Sequence, residues 1–377
     1  MGYLLDQDQK ELVAMVRDFA EKEIKPYAAE YDKTGEFPME LYKKGFEMGL
    51  HCLDIPEEFG GGGVDYMTVA AISEELAKAD AGYATGVTAS SLALKPVLIA
   101  GNAAQKKLFS DIVIPGNFAA FCLTEPNAGS DAASVRTTAV KDGDEYVING
   151  SKCFITNGGV ADVYVVFATV DKSKGLKGLS AFIVEKSRGG ISVGKEEDKM
   201  GIRLSNTTDV MFDNVRIPAS NLLGKEGEGF KIAMKTLDLS RPFVGACAIG
   251  IAQRALEESV KYSKERVTFG RPIASFEALQ FMMADMDIEI EAARQTVVYA
   301  INLVKAGLPY SREAAIAKCL AGDTAVKVAL DAIQILGGYG YSREYPVEKL
   351  LRDAKIFQIF EGTNQIQRIV ISGNLLK

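Results

Sequence analysis

The stretch from residue 356 to residue 368 is Ile356-Phe357-Gln358-Ile359-Phe360-Glu361-Gly362-Thr363-Asn364-Gln365-Ile366-Gln367-Arg368, and it places one carboxylate between an apolar run and a helix start. Asn364 followed three residues later by Gln367 predicts a capping box for that helix. We therefore expect Glu361 at a helix junction among apolar neighbours, where desolvation raises a carboxyl pKa towards the range of a general base. Read without any other information, a partly exposed loop glutamate is the alternative.

The composition bounds the class of protein. The 377 residues are 47% hydrophobic and 25% charged, which is typical of a globular chain with room for two or three domains. A net charge of −7 without a Lys/Arg run argues against nucleic acid as a partner. No apolar run is long enough to span a bilayer, and the first residues do not resemble a targeting leader, so we expect no membrane contact.

The cysteines and the one histidine narrow the chemistry. The five cysteines are scattered without a CxxC pair, so the sequence indicates no metal site and no disulfide framework, and we expect a reducing, cytoplasmic setting. His51 is the single histidine, which leaves little for a His-based triad or a metal cluster. We interpret His51 as structural.

The periodicity predicts an α+β protein in three parts. Residues 1–118 have helical patterns, beginning with an Asp6/Gln9 capping box, and predict an N-terminal helical domain. Residues 119–225 contain short β-rich runs between turns and predict an antiparallel sheet domain ending near Pro218. Residues 226–377 are helical again, with long helices expected at 246–264, 276–306 and 312–336. No strand, G-x-G-x-x-G and helix occur in succession, so any nucleotide cofactor must be held in another way.

Two segments close to the end resemble one known family. Leu351-Arg352-Asp353-Ala354-Lys355-Ile356 together with Glu361-Gly362-Thr363-Asn364-Gln365-Ile366-Gln367-Arg368 is similar to the C-terminal signature of the acyl-CoA dehydrogenases. The resemblance covers essentially the whole chain and is greatest for the short-chain, butyryl-CoA group. It implies that Glu361 is the catalytic base. It also implies a helical domain, a β-barrel-like domain and a C-terminal four-helix bundle.

The resemblance also implies an FAD site on the sheet domain. Phe121-Cys122-Leu123-Thr124-Glu125-Pro126-Asn127-Ala128-Gly129-Ser130-Asp131 resembles the TEPxAGSD flavin signature. It assigns Thr124 to the isoalloxazine edge, Leu123 to the cofactor site, and Ser130 to the pyrophosphate and the substrate. Phe154-Ile155-Thr156 resembles the family's aromatic-Ile-Thr segment. Phe154 would cover one flavin face, and Thr156 would bond near N5.

Further segments extend the implied site. Glu265-Arg266-Val267-Thr268-Phe269-Gly270-Arg271-Pro272-Ile273 resembles a segment whose arginine and aromatic residue reach an adjacent subunit's FAD, which implies at least a dimer and, by family habit, a homotetramer built as a dimer of dimers. The remaining implied contacts are Asp238 and Arg241 for the substrate, and Gln334, Gly337, Gly338, Thr363 and Gln365, with Arg266 and Phe269, for the cofactor.

Three residues depart from the family's usual pattern. Phe154 stands where Trp is frequent and keeps a stacking ring. Glu277 stands where Gln is usual, and a carboxylate near a pyrophosphate is repulsive unless it is paired. Phe360 stands where Tyr commonly precedes the base. The loss of that hydroxyl makes the surroundings of the base more apolar, and we hypothesise a wider tolerance for bulky or aromatic acyl groups.

The resemblance implies FAD-dependent oxidation of a short acyl-CoA to the trans-2-enoyl-CoA, with electrons passed to an electron-transferring flavoprotein. The reverse reaction, an enoyl-CoA reductase of the acryloyl-, crotonyl- or arylacryloyl-CoA type, uses the same base and stays open. An acyl-CoA oxidase fits less well because those relatives are longer. A non-catalytic acyl-CoA-binding scaffold is a further alternative, which the presence of Glu361, Thr124, Ser130 and Thr156 disfavours.

Overall fold

The computed structural model describes residues 3–376, and it confirms the order of a helical region, a sheet and a second helical region. The helices before the sheet are α1 Gln7–Phe19, α2 Ala28–Thr34, α3 Met39–Glu47, α4 Tyr66–Ala79, α5 Ala81–Ala100 and α6 Ala103–Val113. α1 begins with the predicted capping box between Asp6 and Gln9. The helical path continues as a π-helical turn over Ala20–Ile24 and stops short of Pro26, as the pattern indicates.

One sheet of eight strands follows. The strands are β1 Phe118–Cys122, β2 Thr138–Asp142, β3 Glu145–Thr156, β4 Ala161–Thr169, β5 Leu179–Glu185, β6 Ile191–Val193, β7 Thr207–Pro218 and β8 Leu222–Leu223. The order is β6-β7-β3-β2-β4-β5-β8, with β1 paired to β4. β7 ends at Pro218, near where the pattern places the end of the sheet region, but the sheet continues beyond it, because β8 pairs with β5.

The pairing within the sheet is mixed, whereas the sequence predicted it to be antiparallel. β2–β3, β3–β7 and β4–β5 are antiparallel, but β1 lies parallel to β4 along its whole length. Parallel neighbours need a crossover between them. The β2–β3 hairpin forms that crossover. The individual β-rich runs in the sequence do not reveal which strands become neighbours.

The helices after the sheet are α7 Gly229–Glu265, α8 Glu277–Lys305, α9 Ser311–Leu336, α10 Val347–Ile356 and α11 Asn364–Leu375, with a short ribbon of β9 Val267–Thr268 and β10 Arg271–Pro272 after α7. α7 is longer than the predicted 246–264 because it continues through Pro242. A proline inside a helix removes one backbone hydrogen bond. The packing of α7 on α4, α5, α8 and α9 keeps the helix continuous across that position.

The packing of α7 joins the two helical regions, and one hydrophobic cluster extends from Val13 in α1 to Phe357 after α10. The turn between α10 and α11 therefore meets α7 and α9 at the edge of this core. The domain boundaries at residues 118 and 225 stay a prediction. Over residues 3–376 no helix has both the length and the apolar character that crossing a membrane requires.

Candidate active site

Glu361 lies in the turn between α10 and α11 in an unusual backbone conformation. Its φ is +57°, and that of Gly362 is +89°. A left-handed conformation costs a non-glycine residue of the order of 1 kcal/mol or more, and such residues cluster at functional sites. The turn packs closely against α9. A Cβ atom at Gly322 of α9 would lie only 2.7 Å from the Phe357 carbonyl oxygen. Glu361 is thus held at a helix junction, as predicted.

The capping box predicted at Asn364 is wrong by one residue. Thr363 is the N-cap of α11, and its hydroxyl accepts a hydrogen bond of 3.1 Å from the Ile366 N–H. The amide of Asn364 turns to α9 instead and donates to the Cys319 carbonyl oxygen at 3.1 Å and to Asp323 at 2.8 Å. Both Thr and Asn are good N-caps, and the tertiary contacts of Asn364 decide between them.

The Glu361 carboxylate meets α7 through a serine that the sequence analysis did not single out. The Ser240 hydroxyl donates to Oε2 of Glu361 at 2.8 Å, and Ser240 itself is buried. Burial raises the pKa of Glu361 above its ordinary value, while the Ser240 hydrogen bond and the charges of Arg241, Lys318 and Lys95 oppose that rise. The direction agrees with the expectation for a base.

Arg241 and Asp238, both predicted to bind substrate, lie on α7 close to Glu361. Their side chains form an ion pair, and the Arg241 side chain is 3% exposed. Glu361 is among the charges that act on Arg241. The Nε–H of Arg241 is buried and has no acceptor among residues 3–376. Such a donor beside the base is suited to a polar group of a bound ligand.

Two buried lysines carry charges that act on Glu361, and no motif indicated them. The Lys318 ammonium on α9 donates to the Gly362 carbonyl oxygen at 2.8 Å and to Oδ1 of Asn364 at 3.0 Å. The Lys95 ammonium on α5 pairs with Asp54 at 3.2 Å and lies 4.7 Å from the centroid of the Phe243 ring. In the sequence, Lys318 could have been identified as a charged residue within the alanine-rich, buried face of α9.

A second group of predicted site residues lies at the ends of β1 and β3: Thr124 follows β1, and Phe154 and Thr156 end β3. Together with Ser130, which lies in the exposed loop after Thr124, we call them the sheet-edge group. The N–H of Cys153 donates to the Thr124 carbonyl oxygen at 3.0 Å, which brings the two predicted flavin segments side by side. Phe154 has a φ of +54° and is 67% exposed. An aromatic ring presented in this way fits the face of a flat ring system, so the residues present fit a flavin.

A buried ion pair between Lys152 and Glu125 lies next to the sheet-edge group. Lys152 donates to Glu125 at 2.7 Å and to the Leu123 carbonyl oxygen at 3.1 Å. Glu125 also accepts from the backbone N–H groups of Arg136 and Thr137. The side chain of Leu123 is buried in the core, so any contact from Leu123 to a cofactor comes from its backbone.

Arg266, Phe269, Gln334, Gly337 and Gly338 lie apart from the first two clusters, whereas Thr363 and Gln365, also predicted to contact the cofactor, lie at the start of α11 just after Glu361. Arg266 is the C-cap residue of α7, and its guanidinium carbon lies 5.7 Å from the centroid of the Tyr339 ring, which follows Gly337 and Gly338 in the chain. Phe269 is 91% exposed, and Gln334 is exposed as well. Among residues 3–376 no hydrogen bond or ring contact connects Arg266, Phe269 or Gln334 to the sheet-edge group. A contact with another subunit's cofactor therefore stays a prediction.

The surroundings of Glu277 and of His51 fit structural roles. Glu277 is exposed in the first turn of α8, where the helix dipole favours a carboxylate. His51 is buried with Nε2 3.1 Å from the Ile114 carbonyl oxygen and its ring 4.3 Å from that of Phe46. Within the described part of the chain, no three His, Cys, Asp or Glu side chains are grouped as a metal site would require.

Comparison with known proteins gives one consistent family. Models of the acyl-CoA dehydrogenase N-terminal, middle and C-terminal domains match residues 6–114, 120–215 and 227–376. Butyryl-CoA dehydrogenase from Megasphaera elsdenii is 47% identical, with a TM-score of 0.97 over 100% of both chains. A chain in a structure described as the electron-transferring flavoprotein of Acidaminococcus fermentans is 50% identical, with a TM-score of 0.97 over 100% of both chains. The acryloyl-CoA reductase (NADH) of Anaerotignum propionicum is 46% identical over 100% of this chain and 96% of its own length.

Proposed function

The chain belongs to the acyl-CoA dehydrogenase family of oxidoreductases, and from that premise we propose that it oxidises a short-chain acyl-CoA to the trans-2-enoyl-CoA with FAD as cofactor. The observation that carries the proposal is the Glu361 carboxylate, which is held in a left-handed turn and whose pKa is raised by burial. Electrons then pass to an electron-transferring flavoprotein. The relative in the Acidaminococcus fermentans structure supports this partner.

Glu361 is the proposed base for the α-proton. A thioester makes that proton acidic, and a carboxylate with a raised pKa is a stronger acceptor than an ordinary glutamate. Ser240 orients one carboxylate oxygen and leaves the other for the substrate. Arg241, with a buried Nε–H that lacks an acceptor among residues 3–376, is the proposed polar contact to the substrate beside the base, and Asp238 fixes its orientation.

The developing charge on the thioester oxygen needs a hydrogen-bond donor. The backbone N–H of Glu361 has no acceptor among residues 3–376, although it lies in a partly buried turn. An N–H group without a protein acceptor is available to donate to a ligand. We assign this N–H as one donor of the oxyanion site, together with a ribityl hydroxyl of the flavin.

The sheet-edge group is the proposed flavin site. Thr124 and Thr156 offer hydroxyls to the ring edge, Phe154 covers one face, and Ser130 lies towards the pyrophosphate. A flavin held there would supply the acceptor for the hydride that leaves the β-carbon of the substrate. The proposed contacts beyond the ring system are made by the backbone of Leu123 and by Arg266, Phe269, Gln334, Gly337, Gly338, Thr363 and Gln365.

The proposed assembly is a homotetramer in which Arg266 and Phe269 reach a neighbouring subunit's FAD. Large apolar side chains on α8 and α9 support an interface: Phe281 is 60% exposed, Ile288 65% and Leu330 51%. Apolar groups exposed in such numbers on neighbouring helices commonly mark contacts between chains. We further propose a role in fatty acid metabolism in the cytoplasm, where the five free thiols would stay reduced.

The reverse reaction is the second candidate, because a relative of 46% identity is an acryloyl-CoA reductase. Both directions use the same carboxyl group, which is ionised for dehydrogenation and protonated for reduction. The structure of Glu361 serves either direction.

Anaerobic titration of the flavin-loaded protein with butyryl-CoA and crotonyl-CoA tests the proposal. We expect butyryl-CoA to bleach the flavin band. A second arm supplies electrons through an electron-transferring flavoprotein and NADH and measures the rate of crotonyl-CoA reduction against the rate of butyryl-CoA oxidation. A flavin that responds to neither thioester would overturn the substrate class, and a colourless protein would favour the non-catalytic scaffold.

A further inference from the structure

Lys318 is a buried cation in a face of α9 that is otherwise apolar and small. Its side chain is among the largest that are fully buried, and Ala314, Ala315, Ala317 and Ala321 are buried on the same helix. Removing an ammonium group from water costs several kcal/mol unless a partner compensates for it. The position of Lys318 therefore requires an explanation from its surroundings.

The hydrogen-bond partners of Lys318 are neutral. The ammonium donates to the Gly362 carbonyl oxygen and to the amide oxygen of Asn364, and within residues 3–376 no carboxylate lies within ion-pair distance of it. Asp323 is an acidic residue on the same helix, but it accepts hydrogen bonds from Arg368, Asn364 and Gln358. Glu361 is the anion that acts most strongly on Lys318.

The same contacts fix the turn that carries Glu361. The Gly362 carbonyl oxygen accepts from Lys318 on one side and from Nε2 of Gln367, at 2.8 Å, on the other. Gln367 is fully buried. With φ positive at both Glu361 and Gly362, this carbonyl group would otherwise be free to reorient, so the two donors hold the strained turn in place.

We propose that Lys318 is a positioning residue of the reaction, which locks the Glu361–Gly362 turn and whose charge keeps the Glu361 carboxylate ionised until it accepts the α-proton. This inference rests on the function proposed above for Glu361. The charged and titratable groups that face Lys318 are Glu361 and Arg241 near the turn, and Cys319 and Asp323 on its own helix.

The titration of Lys318 agrees with this role. Burial lowers the pKa of Lys318 to about 8, with Glu361 opposing the decrease. The group is therefore protonated at neutral pH, where it stabilises the Glu361 anion. If the charge is removed, the pKa of Glu361 rises further, because burial then acts with less opposition. A protonated Glu361 cannot accept a proton, so the acidic limb of the dehydrogenation rate moves to higher pH.

The test compares three variants of the flavin-loaded enzyme. Lys318→Met removes the charge and both hydrogen bonds, and Lys318→Arg keeps the charge. Lys327→Met removes a lysine from the same helix that pairs with Glu289 at the surface, and it serves as the matched control. The rate of flavin bleaching by saturating butyryl-CoA is followed from low to high pH in an anaerobic single turnover.

We expect Lys318→Met to move the acidic limb to higher pH and to lower the rate below the wild-type limb by about tenfold, since a neighbouring opposite charge is worth at least about one pKa unit. Lys318→Arg and Lys327→Met keep the wild-type limb. If Lys318→Met does not fold, Lys318→Gln replaces it, because glutamine keeps a donor without the charge.

An unmoved limb in a folded, flavin-loaded Lys318→Met or Lys318→Gln variant would overturn the proposal, even with a lower maximal rate, because a purely structural lysine changes the rate at every pH alike. A shift as large in Lys327→Met would also overturn it, since the effect would then follow net charge. If the wild type is not bleached at all, the proposed function fails, and the two failures are thereby distinguished.

Discussion

Two buried lysines, Lys152 beneath the sheet-edge group and Lys318 beneath the base, have opposite electrostatic surroundings. Lys152 donates to a carboxylate, Glu125, at 2.7 Å, so the pair is neutral as a whole. Within residues 3–376, Lys318 donates only to a carbonyl oxygen and an amide oxygen. The charge of Lys152 is compensated by Glu125, and their ion pair joins β3 to the loop after β1. The charge of Lys318 acts instead on Glu361.

The difference separates a structural cation from a positioning cation. Burial lowers the pKa of both lysines. For Lys152, a direct hydrogen bond to the Glu125 carboxylate opposes that decrease. The sheet-edge group thus rests on a rigid, neutral support and presents Phe154 to the outside. Near the base, the electrostatic stabilisation of the Lys318 ammonium depends on whether Glu361 is charged.

The largest effect expected on the folded state is that of Lys152→Met, which leaves the Glu125 carboxylate buried without its cation. Breaking a buried ion pair from one side costs about 3–5 kcal/mol. Urea unfolding of the purified protein measures it, with Lys174→Met as the control, because Lys174 forms an exposed pair with Asp171. A loss no greater than that of Lys174→Met would contradict the structural role given to Lys152.

A smaller and more local effect is expected from Ser240→Ala. The Ser240 hydroxyl stabilises the ionised form of Glu361, so its removal raises the pKa of the base and moves the acidic limb of kcat to higher pH. A hydrogen bond to a charged group is worth about 1.5–3 kcal/mol, which corresponds to about tenfold or more in rate below the limb.

The pH profile of kcat with butyryl-CoA checks this prediction. Ser259→Ala is the matched control, because Ser259 is buried on the same helix and bonds only the Ala255 carbonyl oxygen. Equal profiles for Ser240→Ala and the wild type would show that Ser240 contributes nothing to the state of the base.

The smallest effect is expected from Phe360→Tyr. The Phe360 ring packs edge-on against Phe357, with 4.9 Å between the centroids. We expect kcat/KM for butyryl-CoA to stay within about twofold, and kcat/KM for an aromatic acyl-CoA to fall by more, since one added group in a pocket is worth about tenfold. A series of acyl-CoA substrates measures this, and a uniform change along the series would exclude a role of Phe360 in selectivity.

The sequence predicted the fold class and the region of the base well, because these depend on local patterns. The Asp6/Gln9 box and the position of Glu361 at a helix junction both follow from neighbouring residues. The roles of the predicted cofactor residues stay predictions, and Phe154 has the exposure that its proposed role requires.

The remaining features depend on contacts between distant parts of the chain. β1 lies parallel to β4 because a hairpin intervenes, and α7 continues through Pro242 because other helices pack around it. Lys318 lies 43 residues before Glu361, and Ser240 lies 121 residues before it. Neither distance leaves a periodic signal, so the surroundings of the base could be described only from the structure.

The most direct test of the account is an anaerobic titration of wild type and Glu361→Gln with butyryl-CoA, followed at the flavin band. The variant keeps the size of the side chain and removes the proton acceptor, and loss of a general base slows a reaction by about 10²–10⁴-fold. We predict prompt bleaching in the wild type and none on that time scale in a variant that retains its flavin. Equal bleaching of the two proteins would contradict the assignment of Glu361 as the base.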